Sequence, residues 1–331
     1  EVKIYTVGRS MLVDTTTGKA VDGGATPDLI LSIDGVLDIR SLAARASKLM
    51  HKQVREFVCQ NGDPIPSLQF LPDKVFALFD QDYFVFPVEY VGFKQSLALP
   101  SADREVQIET LSTGPRVFRV DDFLSPKECA WIIQTANDKM SLSTMAQAGD
   151  DVKSWAGQVR TSTTAWIERD EDPWIDVLRE RVSDLVKVPM RLAEDLQVLH
   201  YAKGQHYWAH HDYFDPKIYR AHAEEMMPGQ NRLITVFFYL TDVEEGGETA
   251  FPFANGDHRR VTDMSDCSRG LRVKPKAGSA LVFYSLIADK QQEICPPENP
   301  GCNLDVSSLH LGCDVLKGDK WAANYWISNK N

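Results

Sequence analysis

The chain has 331 residues, 43% of them hydrophobic and 25% charged, with a formal net charge of −11. That length suits one large or two modest globular domains. The acidic balance, whose longest basic cluster is Arg259-Arg260, argues against a nucleic-acid surface, and no apolar run reaches the roughly eighteen residues of a membrane span. The chain begins at Glu1 with no signal-like apolar segment following, and is expected to be a mature or trimmed product.

Residues 1–35 read as short strands at 2–7 and 11–14, broken at Thr16-Thr17-Gly18 and Gly23-Gly24. Residues 38–60 read as a helix capped by Asp38, with Leu42, Leu49, Val54 and Val58 on one side and Asn61-Gly62 as its stop. Residues 63–100 are punctuated by proline and rich in aromatics, and are expected to form strands packed on that helix. Residues 1–104 are therefore expected to form a small α+β accessory region. No catalytic motif lies in it.

The second region, residues 105–331, opens with strands expected at 106–111 and 116–120. Ser125-Pro126-Lys127-Glu128 fits a capping box with proline at the first helical position. Residues 141–158 are polar and contain glycine, a candidate mobile loop. Asp172-Pro173 starts a second helix with Ile175, Leu178, Val182 and Val186 on its apolar face. From Leu196 onward short strands recur, at 196–201, 207–213, 233–240, 271–273, 280–284, 307–311 and 321–327, separated by Gly-containing turns. Many strands at close spacing with few helices predict a sandwich or barrel.

None of the cysteines (Cys59, Cys129, Cys267, Cys295, Cys302, Cys313) sits in a CxxC, so a zinc knuckle is not expected. Cys295 and Cys302 bracket a Pro-rich loop, CPPENPGC, and are expected to form a local disulfide. Cys267 and Cys313 either pair or remain buried thiols. No glycosylation sequon occurs.

The stretch YWAHHDYF, residues 207–214, carries the chemistry. On a strand through residue 213, His210 and Asp212 share one face and His211 points to the other. One imidazole and one carboxylate then need a second histidine to make a 2-His-1-carboxylate set, which leaves open positions on Fe(II). His310, in SSLHLGC, is the distal candidate. Lys320, ten residues on, can meet the far carboxylate of a dicarboxylic cosubstrate as a point charge. On these residues alone a solvated strand face remains an open alternative for the H-x-D pair.

The sequence YAKGQHYWAHHD, residues 201–212, resembles the prolyl 4-hydroxylase pattern YxxGxxYxxHxD. Residues 231–252, NRLITVFFYLTDVEEGGETAFP, and 307–327, SSLHLGCDVLKGDKWAANYWI, resemble two further motifs of that family. FLSPKEC at 123–129 and RTSTTAWI at 160–167 resemble its early motifs, in collinear order. The resemblance, nearest to plant, algal and transmembrane-type members, implies a mainly β, α+β protein with a double-stranded β-helix (jelly roll) core and supporting helices. It implies His210, Asp212 and His310 as iron ligands. It implies Lys320, assisted by Tyr201 and Thr249, as the 2-oxoglutarate partner. It implies Tyr207, Arg232 and Trp326 as lining of the peptide groove. The expected cofactors are Fe(II), 2-oxoglutarate, O2 and ascorbate, the expected partner a proline-rich peptide, and the expected place the endoplasmic reticulum or secretory pathway, with the cytoplasm as the alternative. The segments 141–158 and 214–228 are expected to close over the peptide. Two departures stand out: Asp314 replaces the family's usual proline, and the insert 293–305 is longer. Tyr201 and Trp326 also read as core, and Arg232 as an ion-pair residue. The rival functions are another oxygenase of the same superfamily, acting on lysine or a small molecule, and a non-catalytic peptide-binding module.

Overall fold

The computed structural model describes residues 1–6, 27–143, 159–219, 226–257, 259, 261–296, 298–299 and 301–330. The strand expected at 11–14, the turns expected at 16–18 and 23–24, and residues 144–158 and 220–225 of the two expected lid segments lie outside these residues.

A four-stranded sheet comes first, in the order Leu29–Leu31, Val2–Thr6, Lys74–Phe79, Val54–Val58. Val2–Thr6 runs parallel to Lys74–Phe79, and the other two pairings are antiparallel. The helix Ile39–Met50 covers one face and buries Leu42 and Ala46 against Val2, Ile4, Val75 and Ala77. Asp38 caps it as expected, accepting from the Ser41 amide at 2.7 Å. The helix is shorter than the expected 38–60. His51 takes a left-handed φ of 53° and ends it, and Val54–Val58 pairs as a strand instead. A β-branched and aromatic run suits a pleated surface better than a helix once a neighbouring strand is available.

The other face of this sheet, with Tyr5, Val58, Phe76 and Leu78, joins the main core of the molecule. Phe84, Val85, Phe86 and Val88 belong to that same core. The strand Lys94–Leu99 pairs with Arg104–Thr113 in the larger sheet. The expected division at 104/105 therefore cuts a hairpin, and the change of sheet falls between Phe79 and Lys94.

The larger sheet has nine strands, in the order Lys94–Leu99, Arg104–Thr113, Arg116–Val120, Ala280–Tyr284, Arg232–Tyr239, Lys320–Ser328, Leu196–Tyr201, Thr163–Ile167, Ser141–Leu142. Facing it is a four-stranded sheet: Tyr207–His210, His310–Gly312, Thr249–Phe251, Leu271–Val273. From Leu196 onward the chain passes back and forth between these sheets, the winding of a jelly roll. The helices Pro126–Asn137 and Pro173–Val186 pack on the large sheet, burying Ile132, Ile175, Leu178 and Val182 against Val198, Val236 and Ala323. The capping box at Ser125 and Glu128 is present in both directions. Disulfides join Cys267 to Cys313 and Cys295 to Cys302; Cys59 and Cys129 are free thiols. Among the described residues no helix is long and apolar enough to cross a membrane.

Candidate active site

His210 ends its strand and lies directly opposite His310 in the antiparallel register. Cross-strand neighbours on one face come within contact distance, so pairing alone brings the two imidazoles together, with ring centroids 4.4 Å apart. His210 Nδ1 faces the Trp208 carbonyl at 2.8 Å, and His310 Nδ1 faces the Ser308 carbonyl at 3.0 Å. A backbone acceptor at Nδ1 fixes the tautomer that presents the Nε2 lone pair inward.

Asp212 reaches the same point by a different route from the expected one. The strand stops at His210, not at residue 213, so alternation along a strand does not place the carboxylate. The turn after His210 does, and Thr235, from the large sheet, holds it by donating its hydroxyl to Asp212 Oδ2 at 2.6 Å. Asp212 Oδ1 lies 3.8 Å from His210 Nε2, and Oδ2 lies 3.7 Å from His310 Nε2. The three candidate ligand atoms fall within 4.8 Å of one another. Burial opposes charge on Asp212, but His310, His210, Arg232 and the Thr235 hydroxyl outweigh it and hold the pKa at about 2. Burial, reinforced by His310, pushes His210 well below the usual imidazole range. The set is thus a carboxylate beside a neutral imidazole, the states in which both ligate a metal.

Lys320 starts the last strand and pairs with Tyr201 across the sheet. Its side chain is 1% exposed. The ammonium lies 5.3 to 5.6 Å from the rings of Tyr201, Phe237 and Tyr239. No carboxylate of the described residues pairs with it, and Glu248 acts on it only through space. Burial lowers its pKa to about 7. One cavity holds Lys320, Tyr201, Thr249 and the three candidate ligands. Thr249 accepts from the Tyr239 hydroxyl at 2.7 Å. Close pairing of Glu245–Gly246 with Val315–Lys317, just before Lys320, depends on Gly246, whose φ is +77° and whose added Cβ would lie 2.2 Å from the Asp314 carbonyl oxygen.

A second cavity adjoins the first and shares Tyr207, His210, Asp212 and Trp326 with it. The Tyr207 ring stacks on His210 with centroids 3.6 Å apart. Arg232 lies 3.4 Å over Trp326 and 4.3 Å over Phe214, while its Nε and Nη2 donate to the two carboxylate oxygens of Glu194 at 2.6 and 2.7 Å. Arg232 thus forms an ion pair and lines the opening. His211 points away from the metal-ligand set, its Nε2 against the Val306 carbonyl at 3.1 Å.

Sequence reasoning passed over Arg160, Gln197, Thr235 and Asn324, all buried around this cavity. Arg160 lies 4.7 Å over the Tyr207 ring and bonds Gln197 at 3.2 Å. The signal for two of them was available, since Arg160 opens the RTS motif and Thr235 closes R-x-x-T.

The family model of the 2OG-Fe(II) oxygenase superfamily matches residues 196–328. Probable prolyl 4-hydroxylase 10 of Arabidopsis thaliana is 39% identical over 224 residues, 66% of this chain and 71% of the relative. Prolyl 4-hydroxylase 2 of the same plant is 38% identical over 227 residues, 67% of this chain and 70% of the relative. Among solved structures, the viral collagen prolyl hydroxylase of Paramecium bursaria Chlorella virus 1, in complex with 2OG, is 26% identical and covers 64% of this chain and 95% of that one, with a TM-score of 0.43. On these matches the chain belongs to the prolyl 4-hydroxylase family, within the 2OG-Fe(II) oxygenase superfamily.

Proposed function

We propose that this protein is an Fe(II)- and 2-oxoglutarate-dependent peptidyl-proline 4-hydroxylase acting on proline-rich chains. The observation that carries the reading is the buried Lys320 ammonium, without a carboxylate partner, in the same cavity as His210, Asp212 and His310. A bare metal site has no use for such a cation, whereas a dicarboxylate cosubstrate supplies the missing anion.

In this reading His210, Asp212 and His310 hold the metal, and Lys320 takes the far carboxylate of 2-oxoglutarate with the Tyr201 and Thr249 hydroxyls beside it. When bound, Fe(II) and 2-oxoglutarate supply oxidative decarboxylation that activates O2 for insertion at proline C4, with ascorbate as reductant. The chain's own residues position and shield. Thr235 fixes Asp212, and the two backbone carbonyls fix the imidazoles. Leu199, Phe237 and Phe283 line the cavity and exclude water. Tyr207, Arg232 and Trp326, with Phe214 beside them, line the opening, an aromatic lining that suits the pyrrolidine rings of a polyproline II chain. Glu194 keeps that lining rigid by holding Arg232 at two points. An oxidising compartment, such as the endoplasmic reticulum, is part of the reading and draws support from the two disulfides.

The test is succinate release from 2-oxoglutarate with Fe(II) and ascorbate on poly-proline, Pro-Pro-Gly, Ser-Pro and Ala-Pro repeat peptides. His210→Ala serves as the control. The expected result is peptide-stimulated turnover, lost in the variant, with a product heavier by one oxygen. Turnover that no peptide stimulates would assign a lysine or small-molecule substrate. Iron binding without turnover would leave a binding module.

A further inference from the structure

The insert 293–305 is built into the segment that follows Asp212. His211 Nε2 meets the Val306 carbonyl at 3.1 Å, and the Tyr213 hydroxyl donates to Asn303 Oδ1 at 3.2 Å. Asn231 clamps the next residue from the other side: the Phe214 amide donates to its Oδ1 at 2.9 Å, and its Nδ2 donates to the Phe214 carbonyl at 3.0 Å. Between these walls runs a groove lined by Tyr213, Phe214, Pro216, Met226, Met227 and Pro228, with Glu293, Cys295 and Asn303 on the insert side. Tyr213 and Phe214 also line the opening beside His210 and Asp212, so the groove continues the cleft. Three exposed apolar side chains lie along the same segments: Ile218, Met227 and Ile294, 52%, 53% and 65% exposed. Ile294 comes within 3.2 Å of where a side chain at Gly229, on the groove wall, would begin.

We infer that this groove is a second docking site for the substrate chain, taking residues that flank the proline being hydroxylated. The inference rests on the hydroxylase reading above. Its occupant is an extended, proline-rich segment of the same polypeptide. Continuity with the cleft argues for that occupant, because a chain leaving the opening lined by Trp326, Arg232 and Phe214 passes Phe214 into the groove. Methionine and proline walls accept successive pyrrolidine faces without requiring one sequence.

The experiment measures KM for short and long Pro-Pro-Gly repeat peptides with wild type, Met227→Glu, which alters the groove lining, and Ile294→Glu, which alters the insert next to Gly229. Ile30→Glu, an exposed apolar residue of the N-terminal sheet, is the control. Losing the burial of one apolar side chain is expected to raise KM for the long peptide by about five-fold, and by less than about two-fold for the short one. An equal change at both lengths, no change at either, or the same length dependence in Ile30→Glu would overturn the inference. So would a wild-type dimer that Met227→Glu dissolves in sedimentation, since the groove would then join two copies. If wild type turns over no peptide at all, the hydroxylase reading fails first and takes this one with it.

Discussion

The two sheet systems of this molecule treat polar side chains in opposite ways. In the N-terminal sheet and its helix every buried side chain is apolar; among the described residues the buried Ser, Thr, Asn, Gln, Asp, His, Arg and Lys side chains all lie at Thr110 or later. In the jelly roll, Asp212, Thr235, Thr249, His310 and Lys320 are buried around one cavity. Burying such groups is unfavourable unless each finds a partner. The N-terminal unit is therefore built for packing, and the jelly roll carries unfavourable terms that its ligands would relieve.

The sharpest way to test that contrast is to remove a candidate metal ligand. His310→Ala is expected to lower peptide-dependent succinate release by roughly 10³-fold or more, with Fe(II) affinity falling in parallel by equilibrium titration. The matching change in the N-terminal core is Leu42→Ala, which should cost about 3 kcal/mol of stability by denaturant unfolding. Its KM for 2-oxoglutarate should stay at the wild-type value; a shift there would show that the two units are not independent in this respect.

Lys320→Met joins the two kinds of effect. Without its charged partner, 2-oxoglutarate should bind about thirty-fold more weakly, while the ligand-free protein melts at a higher temperature because a buried, unpaired cation is gone. The sign with pH follows from the same group. The folded pKa of about 7 lies below the ordinary lysine value of 10.5, so the unfolded chain holds the proton longer. The lysine's penalty is full below pH 7 and relieved as pH rises toward 10, while the charge that attracts the cosubstrate is lost over that range. KM for 2-oxoglutarate should therefore climb above pH 7 in wild type and stay flat in Lys320→Met. The smallest effect is expected for Thr235→Val, which removes one hydrogen bond to Asp212. Fe(II) affinity should fall about ten-fold, with the fold retained by circular dichroism.

The contrast also explains what could be read from the sequence. The Asp38 cap, the capping box at Ser125 and Glu128, and the apolar face of Ile175, Leu178 and Val182 depend on neighbours a few residues away, and all are present. His210, Asp212, His310 and Lys320 stood out because polar residues recur there in a spaced pattern. Thr235 was passed over because a threonine within LITVFF reads as ordinary strand, although its spacing from Arg232 carried a signal. The end of the first helix at Met50 was missed because pairing of Val54–Val58 with Lys74–Phe79 overrides local periodicity. The role of the insert was illegible for a similar reason: Tyr213 and Asn303 meet across 90 residues of chain.

The hairpin of Lys94–Leu99 and Arg104–Thr113 has a practical consequence. A catalytic fragment cut at residue 105 loses the outermost strand and the first residue of the next, Arg104–Thr113, whose remainder becomes a bare edge. Such an edge is a template for intermolecular pairing and hence for aggregation. It also loses Phe84, Val85, Phe86 and Val88 from its own core, and the bond from the Phe86 amide to the Tyr284 hydroxyl. Even a cut near Gln81, which spares both, strips Tyr5, Val58, Phe76 and Leu78 from the main core and leaves that face greasy. For this protein, the N-terminal sheet and the jelly roll share one core, and no cut between Phe79 and Lys94 leaves it whole.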